Sequence, residues 1–152
     1  MGNALRQALS ERLGFLADTY KRYRHEKEER VPSGCMNKRK LGGYYEEQAA
    51  LFLEKQGLFI KERNYRCRLG EVDIIAKDGR CLVFVEVKYR FSANAGSAWE
   101  AVDKNKQKII SKVAEQYLAT HFHRLDIPCR FDVVGFEKDK PCWVKNAFDF
   151  CR

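Results

Sequence analysis

Four charged residues interrupt the apolar segment spanning residues 70–90, and together they could perform chemistry. They are Glu71, Asp73, Glu86 and Lys88. Neighbouring carboxylates repel one another, and Mg²⁺ relieves the repulsion by binding a few carboxylate oxygens while keeping other positions for water and phosphate. A lysine beside such a cation can orient an attacking water or stabilise charge in a phosphorane-like transition state. The residue types therefore favour metal-dependent chemistry on a phosphate ester.

A β-hairpin is the element that must position these residues. Asp78 and Gly79 separate two β-prone runs and form a strong signal for a two-residue turn. If they occupy the centre of the turn, Lys77 pairs with Arg80. That pairing sets the register of the whole hairpin.

This register predicts which residues face one another. It places Glu71 opposite Glu86, and Asp73 opposite Phe84. Because side chains alternate along a strand, the four charged residues share one face. The opposite face is apolar and consists of Val72, Ile74, Ala76, Val83, Val85 and Val87. An alternative interpretation is an exposed face on which Glu71 or Glu86 forms a salt bridge with Lys88.

The elements around the hairpin predict a small α/β domain. A helical pattern ends at Gly57, a second one covers residues 97–122, and β-prone runs fill the remaining segments. From residue 41 the predicted order is α-β-β-β-α-β-β, with the sheet between helices. The other predicted strands cover residues 58–66, 129–137 and 142–150.

Residues 1–40 are predicted to be an amphipathic helix followed by a charged linker, attached to a domain at residues 41–152. Residues 1–40 hold ten Lys or Arg and five Asp or Glu (+5), whereas residues 41–152 hold nineteen and sixteen (+3). Charge alone therefore does not establish nucleic-acid binding. No apolar run is long enough to span a membrane and no export signal is apparent, so a cytoplasmic protein is expected.

Asp73, with Glu86-Val87-Lys88 on the next strand, resembles the D…(D/E)-x-K signature of the PD-(D/E)XK nuclease superfamily. More narrowly, residues 41–150 resemble the YraN family of bacterial proteins, notably in "RNYRCRLGEVDIIAKDG" and "LVFVEVKYR". The resemblance implies a restriction-endonuclease-like core, with a central mixed β-sheet flanked by helices in the order α-β-β-β-α-β. This core is related to that of Holliday-junction resolvases.

The resemblance further implies an endonuclease that uses Mg²⁺ or Mn²⁺ to hydrolyse DNA, including branched or structured DNA, and a homodimer as in resolvase-like relatives. By position, Asp73 and Glu86 match the metal ligands and Lys88 the catalytic lysine. Glu46 matches an acidic residue that completes the site, and Gln107 a polar position facing the same cleft. Glu71 is a further candidate ligand for the metal.

Further residues near the hairpin are candidates for contacts with the nucleic acid or for structural roles. Candidate phosphate-binding residues are Arg63, Arg66, Arg68, Arg90 and Lys106. Tyr45 and Tyr89 depart from the family pattern, which often has Gly and Thr there. Asp132 is expected to be a structural partner of Arg130 or of a backbone amide. The chain could instead be a catalytically inactive nucleic-acid-binding or DNA-processing accessory module, or a dimeric scaffold built on its N-terminal helix.

Overall fold

Five β-strands form one sheet in the computed structural model, which describes residues 38–89, 102–137 and 139–151. The predicted N-terminal helix, most of its linker, Arg90 and residues 97–101 lie outside these ranges. No helix within them combines the length and apolar composition needed to cross a membrane. In chain order the elements are α1 (Lys38–Lys55), β1 (Phe59–Cys67), β2 (Gly70–Asp78), β3 (Cys81–Lys88), α2 (Lys104–Phe122), β4 (Cys129–Glu137) and β5 (Lys140–Phe148).

The sheet is mixed, and its strands follow one another in the order β1-β2-β3-β4-β5. Strands β3 and β4 are parallel, whereas the other neighbours are antiparallel. Parallel neighbours need a crossover connection, and α2 lies in the segment that joins them. The predicted fold class, an α/β domain with the order α-β-β-β-α-β-β and a mixed sheet, is confirmed.

Helix α1 ends where the sequence predicts. Gly57 adopts a positive φ of 92°. Its amide donates to the carbonyl of Glu54 at 3.0 Å, and the amide of Leu58 donates to that of Leu53 at 3.1 Å. This pair of bonds is the Schellman motif, which favours glycine. The helix begins at Lys38, earlier than the predicted domain boundary at residue 41.

Two apolar clusters, one on each face of the sheet, hold the helices. Ala49, Ala50 and Leu53 of α1 belong to one cluster, with Ile74, Val83 and Val85 among their partners. On the other face α2 contributes Ile110, Val113, Ala114, Tyr117 and Leu118, and the sheet contributes Phe84 and Phe131 among others. The central hairpin is therefore buried on both faces, as expected for strands covered by helices on each side.

The hairpin register differs from the predicted one. Asp78 pairs with Cys81, so the turn consists of Gly79 and Arg80. Gly79 has a positive φ of 57°, whereas Arg80 is not among the residues with positive φ. This is the pattern of a type II′ turn, which needs glycine only at its first central position. Asp78 is retained in the strand, where its carboxylate forms an ion pair with Arg130 of β4 at 2.9 Å.

The opposing charges change with the register. Ile74 pairs with Val85 and Ile75 with Phe84, which corrects the prediction that Phe84 faces Asp73. The pairing is shifted by two from the predicted one and extends only to Ile74 and Val85, so the predicted opposition of Glu71 and Glu86 is wrong. The carboxylate on which the charge of Glu86 acts is Asp73.

Side chains of β2 do not alternate strictly between the two faces of the sheet at Asp73. Val72 packs in the cluster on the α2 face, whereas Ile74 packs on the α1 face. The prediction that both share one face is therefore wrong, and the backbone of β1 is unusual at this point. Asn64 lies opposite Asp73, between the pairs Arg63–Ile74 and Tyr65–Val72, and has a positive φ of 54°. Asparagine tolerates this conformation better than most residues do.

Candidate functional site

Asp73 lies where the β2–β3 ladder ends. Its Oδ2 accepts a hydrogen bond of 2.7 Å from the backbone amide of Val87. The carboxylate thus reaches across to β3, beyond the last paired residues. Burial, followed by the negative charge of Glu86, raises the pKa of Asp73 from 3.8 to about 7. The amide of Val87 and the charge of Lys106 oppose this shift, whereas Glu46 adds to it.

Glu86 is a buried carboxylate, with 5% of its surface exposed. Lys88 donates a hydrogen bond of 3.0 Å to Oε1 of Glu86. The Nζ atom of Lys106 lies 3.1 Å from Oε2. The salt bridge of the alternative interpretation therefore exists, but on a buried group rather than an exposed face. The structure thus places Lys88 at Glu86, and Glu86 close enough for its charge to act on Asp73.

Lys106 reaches this site from the first turn of α2. Asp103 caps the helix, because its carboxylate accepts the backbone amide of Lys106 at 2.9 Å. Burial lowers the pKa of Lys106, but Glu86, Asp73 and Glu71 together raise it above its ordinary value. The side chain is therefore charged. The sequence suggested a phosphate contact for Lys106 and gave no indication of its ion pair with Glu86.

Gly70 allows α2 to approach the start of β2. Its φ is 145°, and a Cβ atom placed there would overlap the Cγ2 atom of Ile109 on α2. Glycine alone avoids both the backbone strain and the collision. This close approach fixes the helical turn that carries Lys106.

Gln107 is buried, with 2% of its surface exposed. Its Nε2 donates to the carbonyl of Val102 at 2.8 Å, and its Oε1 accepts from Lys104 at 3.3 Å. Both ends of the amide thus bind groups at the start of α2. This geometry suits a residue that holds the start of α2 beside Glu86. The expectation that Gln107 faces a substrate cleft stays a prediction.

The remaining candidate residues differ in whether they interact with Asp73 and Glu86. Glu46, in α1, is partly buried and close enough for its charge to raise the pKa of Asp73. Glu71 is exposed and forms an ion pair of 3.0 Å with Arg66. Arg63 and Arg68 are exposed on β1 and on the following turn. Their phosphate-binding roles remain predictions.

Tyr45 and Tyr89, the two departures from the family pattern, contact each other. Their rings stack at a centroid distance of 6.0 Å and an angle of 20°. The hydroxyl of Tyr45 donates to Asp139 at 2.6 Å, and this bond, with a smaller effect of burial, raises the pKa of Tyr45 to about 12. Since Tyr45 precedes Glu46 and Tyr89 follows Lys88, the contact joins the two elements that carry those residues.

Asp132 has the structural role that the sequence predicts. It is 1% exposed. Its carboxylate accepts Arg130 Nε at 3.0 Å, Trp143 Nε1 at 3.0 Å and the amide of Asn146 at 2.9 Å. These donors satisfy the buried charge and connect β4 to β5 at the bulge beside Asp132. Asp132 is therefore no extension of the acidic site.

Asp73 and Glu86 suit a divalent cation that keeps most of its ligands from water or substrate. Within residues 38–89, 102–137 and 139–151, no group of three or more His, Cys, Asp or Glu side chains could hold a metal ion. A cage built from protein groups alone is thus absent there. Mg²⁺, however, is commonly held by one or two carboxylates together with substrate phosphates. The buried Oε2 of Glu86 lies 3.1 Å from the ammonium of Lys106, so this oxygen already has a positively charged partner.

The segment of the chain that carries these residues matches a known protein family. Residues 45–136, which include α1 from Tyr45 and the whole hairpin, match the model of the Uncharacterised protein family UPF0102. A UPF0102 protein of Lachnoclostridium phytofermentans is 47% identical over 75% of this chain and 97% of its own length. Similar proteins of Aeromonas hydrophila and Alcanivorax borkumensis are 44% and 42% identical, over 70% and 74% of this chain and 83% and 94% of their own lengths.

Proposed function

The chain belongs to the Uncharacterised protein family UPF0102, which is the YraN family indicated by its sequence, and we propose from its own site that it is a metal-dependent endonuclease. The substrate in this proposal is DNA, including branched or structured DNA, and the cation is Mg²⁺ or Mn²⁺. One observation carries it: two carboxylates, Asp73 and Glu86, meet at the end of a buried hairpin with Lys88 beside them.

Asp73 and Glu86 are the residues that would hold the cation. Burial and then the charge of Glu86 raise the pKa of Asp73, and both effects weaken when a positive charge enters between the two carboxylates. A bound divalent cation supplies charge neutralisation at the phosphate and lowers the pKa of water. The amide of Val87 keeps the Asp73 carboxylate in place, because it binds Oδ2 independently of any cation.

Lys88 is placed to act on the substrate. Its ammonium is hydrogen-bonded to Glu86 at 3.0 Å, and its side chain is 34% exposed. It can therefore meet a phosphate from the solvent side while the buried Glu86 holds it in position. There it would orient the attacking water and stabilise the negative charge that develops on the phosphate oxygens. Gln107 supports this arrangement indirectly, through the start of α2.

The alternative is a nucleic-acid-binding or DNA-processing accessory module without turnover. One observation favours it: the ammonium groups of Lys88 and Lys106 pair with the two oxygens of Glu86 and so balance its charge. Metal titration by calorimetry separates the two functions. Binding of Mg²⁺ or Mn²⁺ that is lost in Asp73→Asn supports the endonuclease, whereas no binding to the wild-type protein supports the accessory module.

Cleavage assays test the endonuclease directly. We expect Asp73→Asn and Lys88→Met to lower the rate about 100-fold or more, because each removes a group that stabilises the transition state. The substrates are a four-way junction, a flap, a duplex and a single strand, each with Mg²⁺ and Mn²⁺. Lys77→Met, at an exposed lysine near the turn end of β2, is the matched control and should retain activity. Equal cleavage by all four proteins would reject the mechanism.

A further inference from the structure

The carboxylate of Glu86 lies between two lysines that differ in how they bind it. Lys88 comes from the same strand and donates a hydrogen bond to Oε1. Lys106 comes from another element, α2, and lies 3.1 Å from Oε2. The buried Oε2 therefore has the Lys106 ammonium as its partner, just as Oε1 has that of Lys88. Lys106 thus occupies, from a different element, an oxygen that a bound cation would use.

Two ammonium groups already lie at Glu86, that of Lys88 at Oε1 and that of Lys106 at Oε2. The carboxylates of Glu46 and Glu71 act on the same site, since their charges raise the pKa values of Asp73 and Lys106, respectively. A divalent cation bound at Oε2 would lie beside the Lys106 ammonium, and two positive charges repel strongly where water screens poorly. The Lys106 ammonium would then move away from Oε2.

The structure favours the departure of Lys106. Lys106 stands in the first turn of α2, where the helix dipole disfavours a positive charge. Its ion pair with Glu86 offsets this cost only while Oε2 is available. Lys104 and Lys108 are exposed on the neighbouring turns, so a displaced Lys106 would join other lysines at a helix N-terminus. That combination favours a phosphate group.

We infer that Lys106 is a built-in counter-ion: it takes the place of a cation at Oε2 of Glu86, is displaced when a divalent cation binds, and then contacts a phosphate of the substrate. This inference rests on the proposed function, since it describes how that site exchanges one positive charge for another. In this scheme Lys106 acts on the metal through Glu86 and, once displaced, on the substrate directly.

Manganese titration by calorimetry tests the displacement. Lys106→Met keeps much of the side-chain volume and removes the competing charge, so Mn²⁺ should bind about tenfold tighter, or more, than to the wild-type protein. Lys112→Met removes an exposed lysine from the same helix and should leave Mn²⁺ affinity unchanged. Unchanged or weaker Mn²⁺ binding by Lys106→Met would overturn the inference, provided that its unfolding curve matches that of Lys112→Met.

Duplex binding tests the second half. Ca²⁺, which takes the same oxygen ligands, replaces Mn²⁺, and fluorescence anisotropy gives DNA affinity at several salt concentrations. With Ca²⁺, the plot of log affinity against log salt should be shallower for Lys106→Met than for wild type, by about 0.9, the value of one phosphate contact. Without a divalent cation the two slopes should agree. Equal slopes with Ca²⁺ would exclude the phosphate contact.

The two proposals fail in different ways. If the wild-type protein binds no Mn²⁺, the proposed function fails and the inference fails with it. If the wild-type protein binds Mn²⁺ and loses it in Asp73→Asn, but Lys106→Met binds no more tightly, only the inference is rejected.

Discussion

Two buried carboxylates, Glu86 and Asp132, differ in the groups that balance their charge. Asp132 accepts bonds from Arg130, Trp143 and the backbone of Asn146, which together satisfy it. Glu86 is paired instead with the ammonium groups of Lys88 and Lys106, one at each oxygen. Under the proposed function a divalent cation would replace one of these positive charges.

Asp73 predicts a pH dependence of stability in the absence of metal. Its pKa is about 7 in the folded protein and near 3.8 when unfolded. Between these values the folded state keeps a proton that the unfolded state releases, so the free energy of unfolding falls as pH rises. Asp73→Asn removes this term while its amide oxygen can still accept from Val87. We expect the free energy of unfolding of the variant to exceed that of wild type by roughly 1–2 kcal/mol at pH 5, and this difference to grow to roughly 4 kcal/mol at pH 8.

Urea unfolding at both pH values, in a chelating buffer, measures this difference. Comparing the two proteins at each pH cancels the other titrating groups, which they share. A stability difference that stays constant between pH 5 and pH 8 would contradict the raised pKa. Added Mn²⁺ should reverse the order at pH 8, because under the proposed function it stabilises only the protein that binds it.

At the scale of elements, sequence pattern predicted the strands and helices better than it predicted their register. The run from Cys129 to Glu137 is a strand over its full predicted length, and Gly57 ends α1 as predicted. The turn was misplaced because Asp78 is held in β2 by Arg130 of β4. That contact joins distant parts of the chain, and local turn preferences do not contain it.

In the candidate site, too, local sequence pattern indicated some contacts, whereas contacts between distant segments were missed. The D…E-x-K pattern led to the expectation that Asp73, Glu86 and Lys88 lie near one another, and two neighbouring strands bring them close in either register. It did not identify the ion pair of Lys106 with Glu86, which depends on how α2 docks on the sheet. Asn64 was an overlooked signal, since asparagine within a strand can mark an irregular backbone.

The position of α2 against the sheet depends on glycine at residue 70. We expect Gly70→Ala to lower the free energy of unfolding by about 2–4 kcal/mol, because its backbone conformation suits glycine and the new methyl group meets Ile109. Urea unfolding measures the loss. Gly43→Ala is the control: Gly43 lies in α1 with open space around its Cβ position, and alanine there should stabilise by up to about 1 kcal/mol.

A double-mutant cycle separates the collision from the backbone strain. Ile109 is 38% exposed, so Ile109→Ala alone should cost little. In the Gly70→Ala background the same change should recover part of the lost stability by removing the methyl groups that collide. If the two substitutions are additive, steric contact with Ile109 does not explain the requirement for glycine.

At the scale of the whole molecule, the family match covers only part of the chain. The alignment with the Lachnoclostridium phytofermentans protein spans 114 of 152 residues and 97% of that protein, so 38 residues here have no aligned counterpart. The chain also divides into units at residues 1–36 and 37–152. Both apolar clusters and every described candidate residue belong to the second unit. The proposed chemistry therefore needs only residues 37–152.

A variant that lacks residues 1–36 tests this separation. We expect it to unfold cooperatively with the free energy of the full chain, within the error of about 10–15% that linear extrapolation carries, because a domain with its own core can fold alone. Its Mn²⁺ affinity should also match that of the full chain. Urea unfolding and calorimetry measure these quantities, and sedimentation velocity of both proteins measures self-association. A truncated protein that stays folded but loses self-association would support the scaffold role for residues 1–36, whereas loss of folding or of Mn²⁺ binding would show that residues 37–152 are not sufficient for the site.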